Sequence, residues 1–526
     1  MHKPPDMKKL ICLFLILSSI QTWSQKTLPE DVVTNIKKRI EYGNSPSYAI
    51  GIVDKDGVRY YNFGTKTLSG APVDEHSIYE IGSISKTFTA ILLAQKVLEG
   101  KMKLDDPVKK YLPADVKVPQ RGSAEITLGN LSDHTSALPR MPSNFAPANP
   151  ANPFADYAVK QLYEFLSGYE LPRDIGAQYE YSNLAQGLLG HILALQSGMS
   201  YETLMIQNIA TPLGMKETKI TFDKNMKKNL AVGYSAGSQV ENWDLGTLAG
   251  AGAIRSSTSD MLKYLSANMG LKKTSLRKAM DLTQRVRHNK AGSNRVGLGW
   301  HIVKGKQGDV IWHNGGTGGY RTFAGFVKET GMGVVVLTNS NEGADDIGFH
   351  LLNSDAPLRV VKASIATEMK TLIDEKKIDE AIALYHERKK TKSDQYDFSE
   401  VVLNTLGYTY MDTNLPAALT IFKLNVEQYP NAFNVYDSYG EALLKMAIEN
   451  HKKSVELNPG NTSGIAALEK MGIKSGSADV LVPETTLDTY LGVYEFQPGF
   501  SIAITREGRQ MFAQATGQAK FEIFPK

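Results

Sequence analysis

The stretch Glu80-Ile81-Gly82-Ser83-Ile84-Ser85-Lys86-Thr87-Phe88-Thr89 decides how the rest of this 526-residue chain is read. Behind it Phe88, Ile91, Leu92, Gln95 and Leu98 fall at helical spacing, and Gly100 offers a stop. Ser83 is therefore predicted at the first turn of a partly buried helix, with Lys86 one turn on along the same face. Unpaired N–H groups at a helix start favour a developing anion. A lysine at that distance can take the serine proton when burial lowers its pKa. By itself S-x-x-K says little. Ser275-Leu276-Arg277-Lys278 repeats it inside LKKTSLRK, a charged stretch that reads as solvated surface. A capping serine followed by a surface lysine is the plain alternative at Ser83 and Lys86 too.

Working outward, Ser47–Val53 and Val58–Phe63 are strand-like and joined across Asp54-Lys55-Asp56-Gly57, a hairpin signal. Asp309–Trp312, Thr322–Val327 and Gly333–Asn339 are strand-like as well, the last two meeting at a Lys328–Gly331 turn. The long interval between these groups is mainly helix and loop, including the Pro- and Asn-rich PRMPSNFAPANPANP from Pro139 to Pro153. Strands at both ends with helices between predict an antiparallel sheet assembled from distant parts of the chain.

GSISKTFT resembles the nucleophile motif of the class C β-lactamase and penicillin-binding-protein group of serine hydrolases. The resemblance continues in order through ITLGNLSDHTSALPR, GAQYEYSN, PLGMKET, AGAIRSSTSDMLKYL, VGLGW and HNGGTGGYRTFAGFV. It implies Tyr181-Ser182-Asn183 as the family's Tyr-x-Asn motif, with Tyr181 a proton shuttle beside Lys86 and Asn183 a substrate-amide ligand. A phenol next to that lysine is expected to have a lowered pKa. The local alternative is a turn before the helix Leu184–Ser197, with Asn183 as its N-cap. Tyr42-Gly43-Asn44 matches the pattern without the surrounding resemblance. The family's third motif, Lys-Thr-Gly in class C β-lactamases, is replaced here by His313-Asn314-Gly315. His-x-Gly is the version met in the family's D-aminoacyl peptidases and esterases. By resemblance His313 and Gly315 line the substrate cleft, and the N–H groups of Ser83 and Gly316 form the oxyanion hole. A histidine is a cation for a substrate carboxylate only when its pKa is raised, so penicillin hydrolysis becomes one use among several.

Gly233-Tyr234-Ser235-Ala236-Gly237 matches G-x-S-x-G, the elbow of α/β-hydrolases, but KNMKKNLAV before it and SQVENWD after it are not the required strand and helix. Scattered histidines without H-E-x-x-H or paired cysteines suggest no metal, no phosphate-binding loop is present, and no cofactor is implied. His134, in SDHTSALP, is expected to pack or to hydrogen-bond within its loop.

Lys+Arg of 59 against Asp+Glu of 55, a net +4, argues against nucleic acid as a partner. From Met7, an alternative start to Met1, the chain reads MKKLICLFLILSSIQTWSQK: basic, apolar, then polar, as in a secretory signal. The apolar run is short for a membrane span. Cys12, the only cysteine, lies inside it, so the mature chain would need no disulfide and a periplasmic address fits.

Downstream, VLNTLGYTYMDTNLPAALTIFKLNVEQYP and NAFNVYDSYGEALLKMAIENHKKSVELNPGN look like tetratricopeptide repeats, the second short between EALLKM and AIENHKK. Lys362–Lys389 ahead of them reads as helix. Leu487–Pro525 alternates like β-structure and stops as a small domain cut short would.

The expected organisation is a signal peptide at 1–25, a serine β-lactamase/transpeptidase-like α+β domain at 30–350, a helical repeat segment at 360–475, and a β-rich segment at 480–526. The expected activity is acyl transfer through Ser83, on β-lactams, D-amino-acid-terminated peptides or esters. The alternatives are a non-hydrolytic muropeptide or penicillin sensor, and an esterase acting through Ser235. Besides a small-molecule or peptide substrate, a protein partner for the repeats is expected.

Overall fold

The structure is a computed structural model and describes residues 27–235, 237–289, 294–473, 484–497 and 499–523. The expected signal segment, Cys12 and Phe524–Lys526 lie outside the described residues. The chain divides into two compact units, 1–363 and 364–526.

The first unit is built on eight antiparallel strands: β1 (Ser47–Asp54), β2 (Gly57–Gly64), β3 (His288–Asn289), β4 (Asn294–Val296), β5 (His301–Gly305), β6 (Gly308–Gly316), β7 (Arg321–Val327) and β8 (Met332–Thr338). They lie in the order β2-β1-β8-β7-β6-β5-β4-β3. Pairing of β1 with β8, Ile50 opposite Val336, joins strands from the two ends of the unit. The strands from 288 to 305 go beyond those read from sequence; two of them are only two and three residues long, too short for alternation to register.

Side chains alternate across the sheet as a period of two demands. Tyr48, Ile50 and Ile52 face helices α1 (Glu30–Glu41) and Asp345–Leu352, packing with Val32, Ile36, Val336 and Ile347. Ala49, Val53, Val335 and Leu337 face the other way, into a core shared with α2 (Ser85–Leu98) and the helix Thr258–Met269. Gly51 permits that contact: a Cβ there would come 2.6 Å from Thr258 Cγ2. Burying these two faces is the main stabilising term.

In the second unit the first repeat-like stretch forms the helix pair Glu400–Tyr410 and Leu415–Gln428. Gly407 lets the pair close, since a Cβ would sit 2.5 Å from the Phe422 ring. The second stretch, short of residues in sequence, is one continuous 25-residue helix, Phe433–Leu457. The helix read over Lys362–Lys389 is instead two, Ile365–Asp374 and Ile378–Thr391, parted at Lys376 with φ +63°. Four antiparallel strands follow, from Gly492 to Ile523. Among the described residues no helix is long and apolar enough to cross a membrane.

Candidate active site

Ser83 lies in a single 3-10 turn, Gly82–Ile84, that runs straight into α2. The turn is pinned from outside the helix. Gly82 has φ +50°, and a Cβ on it would meet the Gly316 nitrogen at 2.6 Å. A Cβ on Gly315 would meet the Ile81 carbonyl oxygen at 2.0 Å, and Thr322 Oγ1 donates to that same oxygen at 3.0 Å. Two glycines thus bring the end of β6 against the serine turn. Gly82 carries this close approach as much as Gly315 does, yet its place in the sequence motif gave no sign of a left-handed backbone.

Lys86 is fully buried, one turn beyond Ser83. Its Nζ lies 2.8 Å from Ser83 Oγ, 3.0 Å from Asn183 Oδ1 and 2.6 Å from the Ala251 carbonyl oxygen. Burial first, and the positive field of Arg140 second, lower its pKa well below the usual lysine value. A neutral amine has two N–H groups and one lone pair. The Ala251 carbonyl and Asn183 Oδ1 can only accept, so they take the two N–H groups and leave the lone pair to the Ser83 hydroxyl. Ala251 comes from the short turn Gly246–Ala251, and a backbone carbonyl leaves no mark in a sequence motif.

Tyr181 donates its phenol to Ser83 Oγ at 2.7 Å. Its pKa is not lowered as the sequence chemistry suggested. Burial pushes it up to about 12, outweighing the Ser83 hydrogen bond and Arg140, which act downward. The N-cap of the following helix, Asn183–Ser197, is Ser182, whose Oγ accepts from Ala185 N at 2.9 Å. Asn183, spared from capping, reaches Lys86. His134 braces this turn: its Nδ1 accepts from Ser182 N at 3.1 Å, and its ring stacks on Tyr181 at 4.7 Å.

His313 is buried, with its ring centroid 6.3 Å from that of Tyr181. Its Nδ1 lies 2.6 Å from the Asn314 carbonyl oxygen, which can only accept, so Nδ1 carries the proton. Nε2 is then a bare acceptor, buried and, among the described residues, without a hydrogen-bond partner. Burial first, and then the neighbouring His301, drives the His313 pKa well below the usual histidine value. This side chain is a neutral acceptor and not a cation.

The other sequence candidates lie in different surroundings. Ser275 and Lys278 are exposed, whereas Lys86 is 0% exposed, and that contrast separates the two S-x-x-K matches. Ser235 closes a two-residue strand, Tyr234–Ser235, that pairs with Ser238–Gln239, and Asn341 Nδ2 donates to its Oγ at 2.8 Å. No helix follows it, so the elbow geometry is absent there. A recess of about 770 Å³ lined by α1 and residues 358–361 includes none of these side chains. Among the described residues no cluster of His, Cys, Asp or Glu could hold a metal ion.

The chain is 30% identical over 378 residues to the D-alanyl-D-alanine-carboxypeptidase/endopeptidase AmpH of Escherichia coli K12, a match covering 66% of this chain and 96% of that protein. It is also 30% identical to a Pseudomonas fluorescens β-lactamase, over 56% of this chain and 88% of the relative. A class C β-lactamase structure from Rhodobacter sphaeroides superposes with a TM-score of 0.53 at 26% identity, covering 60% of this chain and 95% of that one. A β-lactamase/D-alanine carboxypeptidase from Pseudomonas syringae, at 22% identity and a TM-score of 0.55, covers 62% of this chain and 98% of its own, and shares the fold. Residues 32–352, which contain the serine, lysine, tyrosine and histidine just described, match the family model Beta-lactamase, and the chain belongs to that family.

Proposed function

We propose that this protein is an exported serine hydrolase that forms an acyl-enzyme on Ser83 and acts on D-alanine-terminated peptides, β-lactams or related esters. The observation that carries the reading is the meeting of two groups on one oxygen: Lys86 Nζ at 2.8 Å and the Tyr181 phenol at 2.7 Å from Ser83 Oγ. The Ser83 proton passes to the Lys86 lone pair as Oγ attacks the carbonyl carbon. The developing oxyanion is received by the N–H groups of Ser83 and Gly316. Tyr181, still protonated, gives its proton to the leaving nitrogen or oxygen. Water then attacks the ester along the same path in reverse. Asn183 Nδ2, held among the described residues by a 3.8 Å contact to Met141 Sδ alone, is available to a substrate carbonyl. The activities named for the relatives, carboxypeptidase/endopeptidase and β-lactamase, support this substrate range.

His313 favours substrates with no carboxylate at this position, such as simple esters. Its acceptor Nε2 suits an N–H or O–H of a ligand better than a carboxylate. We further propose a signal peptide at 1–25, a periplasmic address, a tetratricopeptide-like segment at 360–475 serving a protein partner, and a separate β-rich segment at 480–526.

The test is turnover of a 4-nitrophenyl ester and labelling by a fluorescent penicillin in wild type, Ser83→Ala and Ser235→Ala. Both signals vanish with Ser83→Ala and persist with Ser235→Ala if the reading is right. Labelling without any ester turnover would instead point to a sensor.

A further inference from the structure

We propose that Arg140 recognises a carboxylate of the substrate and thereby sets the charge preference of the site, an inference that rests on the acyl-transfer reading above. The position of the residue is the first argument. Its backbone oxygen accepts from Asn183 N at 3.0 Å and Leu184 N at 3.3 Å, so Arg140 is tied to the Tyr-x-Asn turn. Its guanidinium carbon stands 5.1 Å from the Tyr181 ring centroid, a cation–π contact on the face of the proton donor itself.

Availability is the second argument. Arg140 is exposed, and among the described residues its guanidinium has no hydrogen bond or ion pair. Neighbouring arginines are committed. Arg173 pairs with Glu180, and Arg287 pairs with Asp133 at 3.0 Å. Arg321, beside Gly316, spends Nη1 on the Thr317 and Tyr320 carbonyls. Elimination is the third argument. Lys86 is a buried amine facing Ser83, and His313 presents an acceptor, so neither can hold an anion. A planar guanidinium with free donors binds a carboxylate through two parallel hydrogen bonds. Its stacking on Tyr181 limits the rotamer freedom lost on binding. Nothing in the sequence marks this role, because Arg140 stands at the edge of a loop and its relation to Tyr181 exists only in the fold.

The experiment compares kcat/KM of wild type, Arg140→Ala, Arg140→Lys and Arg140→Glu on three esters. These are 4-nitrophenyl butyrate, mono-4-nitrophenyl glutarate (carboxylate on the acyl side) and 3-carboxy-4-nitrophenyl butyrate (carboxylate on the leaving group). Arg140→Ala is expected to lose about tenfold more on one charged ester than on the neutral one. Arg140→Glu should widen that gap, and Arg140→Lys should close only part of it. Whichever charged ester suffers identifies the side of the scissile bond that Arg140 serves. Equal losses on all three esters would overturn the proposal and leave Arg140 as packing for Tyr181. Unchanged values on both charged esters would overturn it as well. Absence of Ser83-dependent turnover of every ester in wild type would defeat the acyl-transfer reading itself, and this proposal with it.

Discussion

In the proposed reaction Lys86 serves only while it lacks a proton, and full burial with the nearby charge of Arg140 lowers its pKa in that direction, beside two acceptor-only oxygens. The sign of the pH dependence follows. Because the folded pKa is lowered, the amine loses its proton at a lower pH than a free lysine and becomes charged as pH falls through the folded value, so in the proposed reaction acylation is expected to fail on the acid side. Tyr181, pushed up to about 12, keeps its proton throughout. The kcat/KM for a 4-nitrophenyl ester is expected to rise about tenfold per pH unit on the acid limb, then to hold level into the mildly alkaline range. Lys86→Arg, whose charge is permanent, should remove acylation at every pH. A bell with an alkaline fall near neutrality would show that a charged Lys86 is required, and would contradict its role as the base. At this scale the sequence carried the identities of Ser83, Lys86, Tyr181 and His313 but not their charge states. The pattern S-x-x-K occurs twice, and only burial, a tertiary property, tells Lys86 from Lys278.

Between residue and fold stands the loop from Asp133 to Arg140, which supports the tyrosine turn from below. Two of its non-glycine residues, His134 at φ +62° and Ala137 at φ +61°, are left-handed. Such backbone is disfavoured for any side chain with a Cβ. His134 is compensated by its bond to Ser182 N and its contact with Tyr181, whereas Ala137 contributes little more than a buried methyl group. Ala137→Gly is therefore expected to stabilise the protein by about 0.5–1 kcal/mol in a urea titration, with ester turnover retained. A loss of stability would mean that the methyl packing outweighs the strain. Longer elements were readable from sequence where the pattern was long: the hairpin at Asp54–Gly57, the strands from 309 to 338, and the helix behind Ser83. Sequence reading failed where an interruption is a single backbone angle, as at Lys376, or where an expected turn between two helices is absent, as in Phe433–Leu457.

Across the whole molecule the first unit is closed by its own ends. The β1–β8 pairing joins the strand group at 47–64 to the group at 301–338, and α1 meets the helix Asp345–Leu352 over the outer face. A buried ion pair fastens those two helices. Arg39, with no exposed surface, donates to Asp346 and to the Gly343 carbonyl, the latter at 2.9 Å. Burial alone would raise the Asp346 pKa, but Arg39 holds it below the ordinary carboxylate range. The stability it contributes is present above the unfolded carboxylate pKa and lost as pH falls through the folded value. Asp346→Ala strands a buried guanidinium and is expected to cost about 3–5 kcal/mol at neutral pH, with much less cost in acid. Chemical denaturation at two pH values measures both. A pH-independent loss would assign the effect to packing. The sequence marked neither residue, since a lone Arg and a lone Asp separated by three hundred positions show no pairing until the sheet closes.

The central claim is that Ser83 becomes acylated. Wild-type protein and Ser83→Ala, each incubated with a penicillin and quenched in acid, are to be compared by intact mass and then by peptide mapping. A single penicilloyl adduct is expected on the peptide containing Ser83 and none on the variant. An adduct on another residue, on Ser235 above all, or one that survives Ser83→Ala, would contradict it.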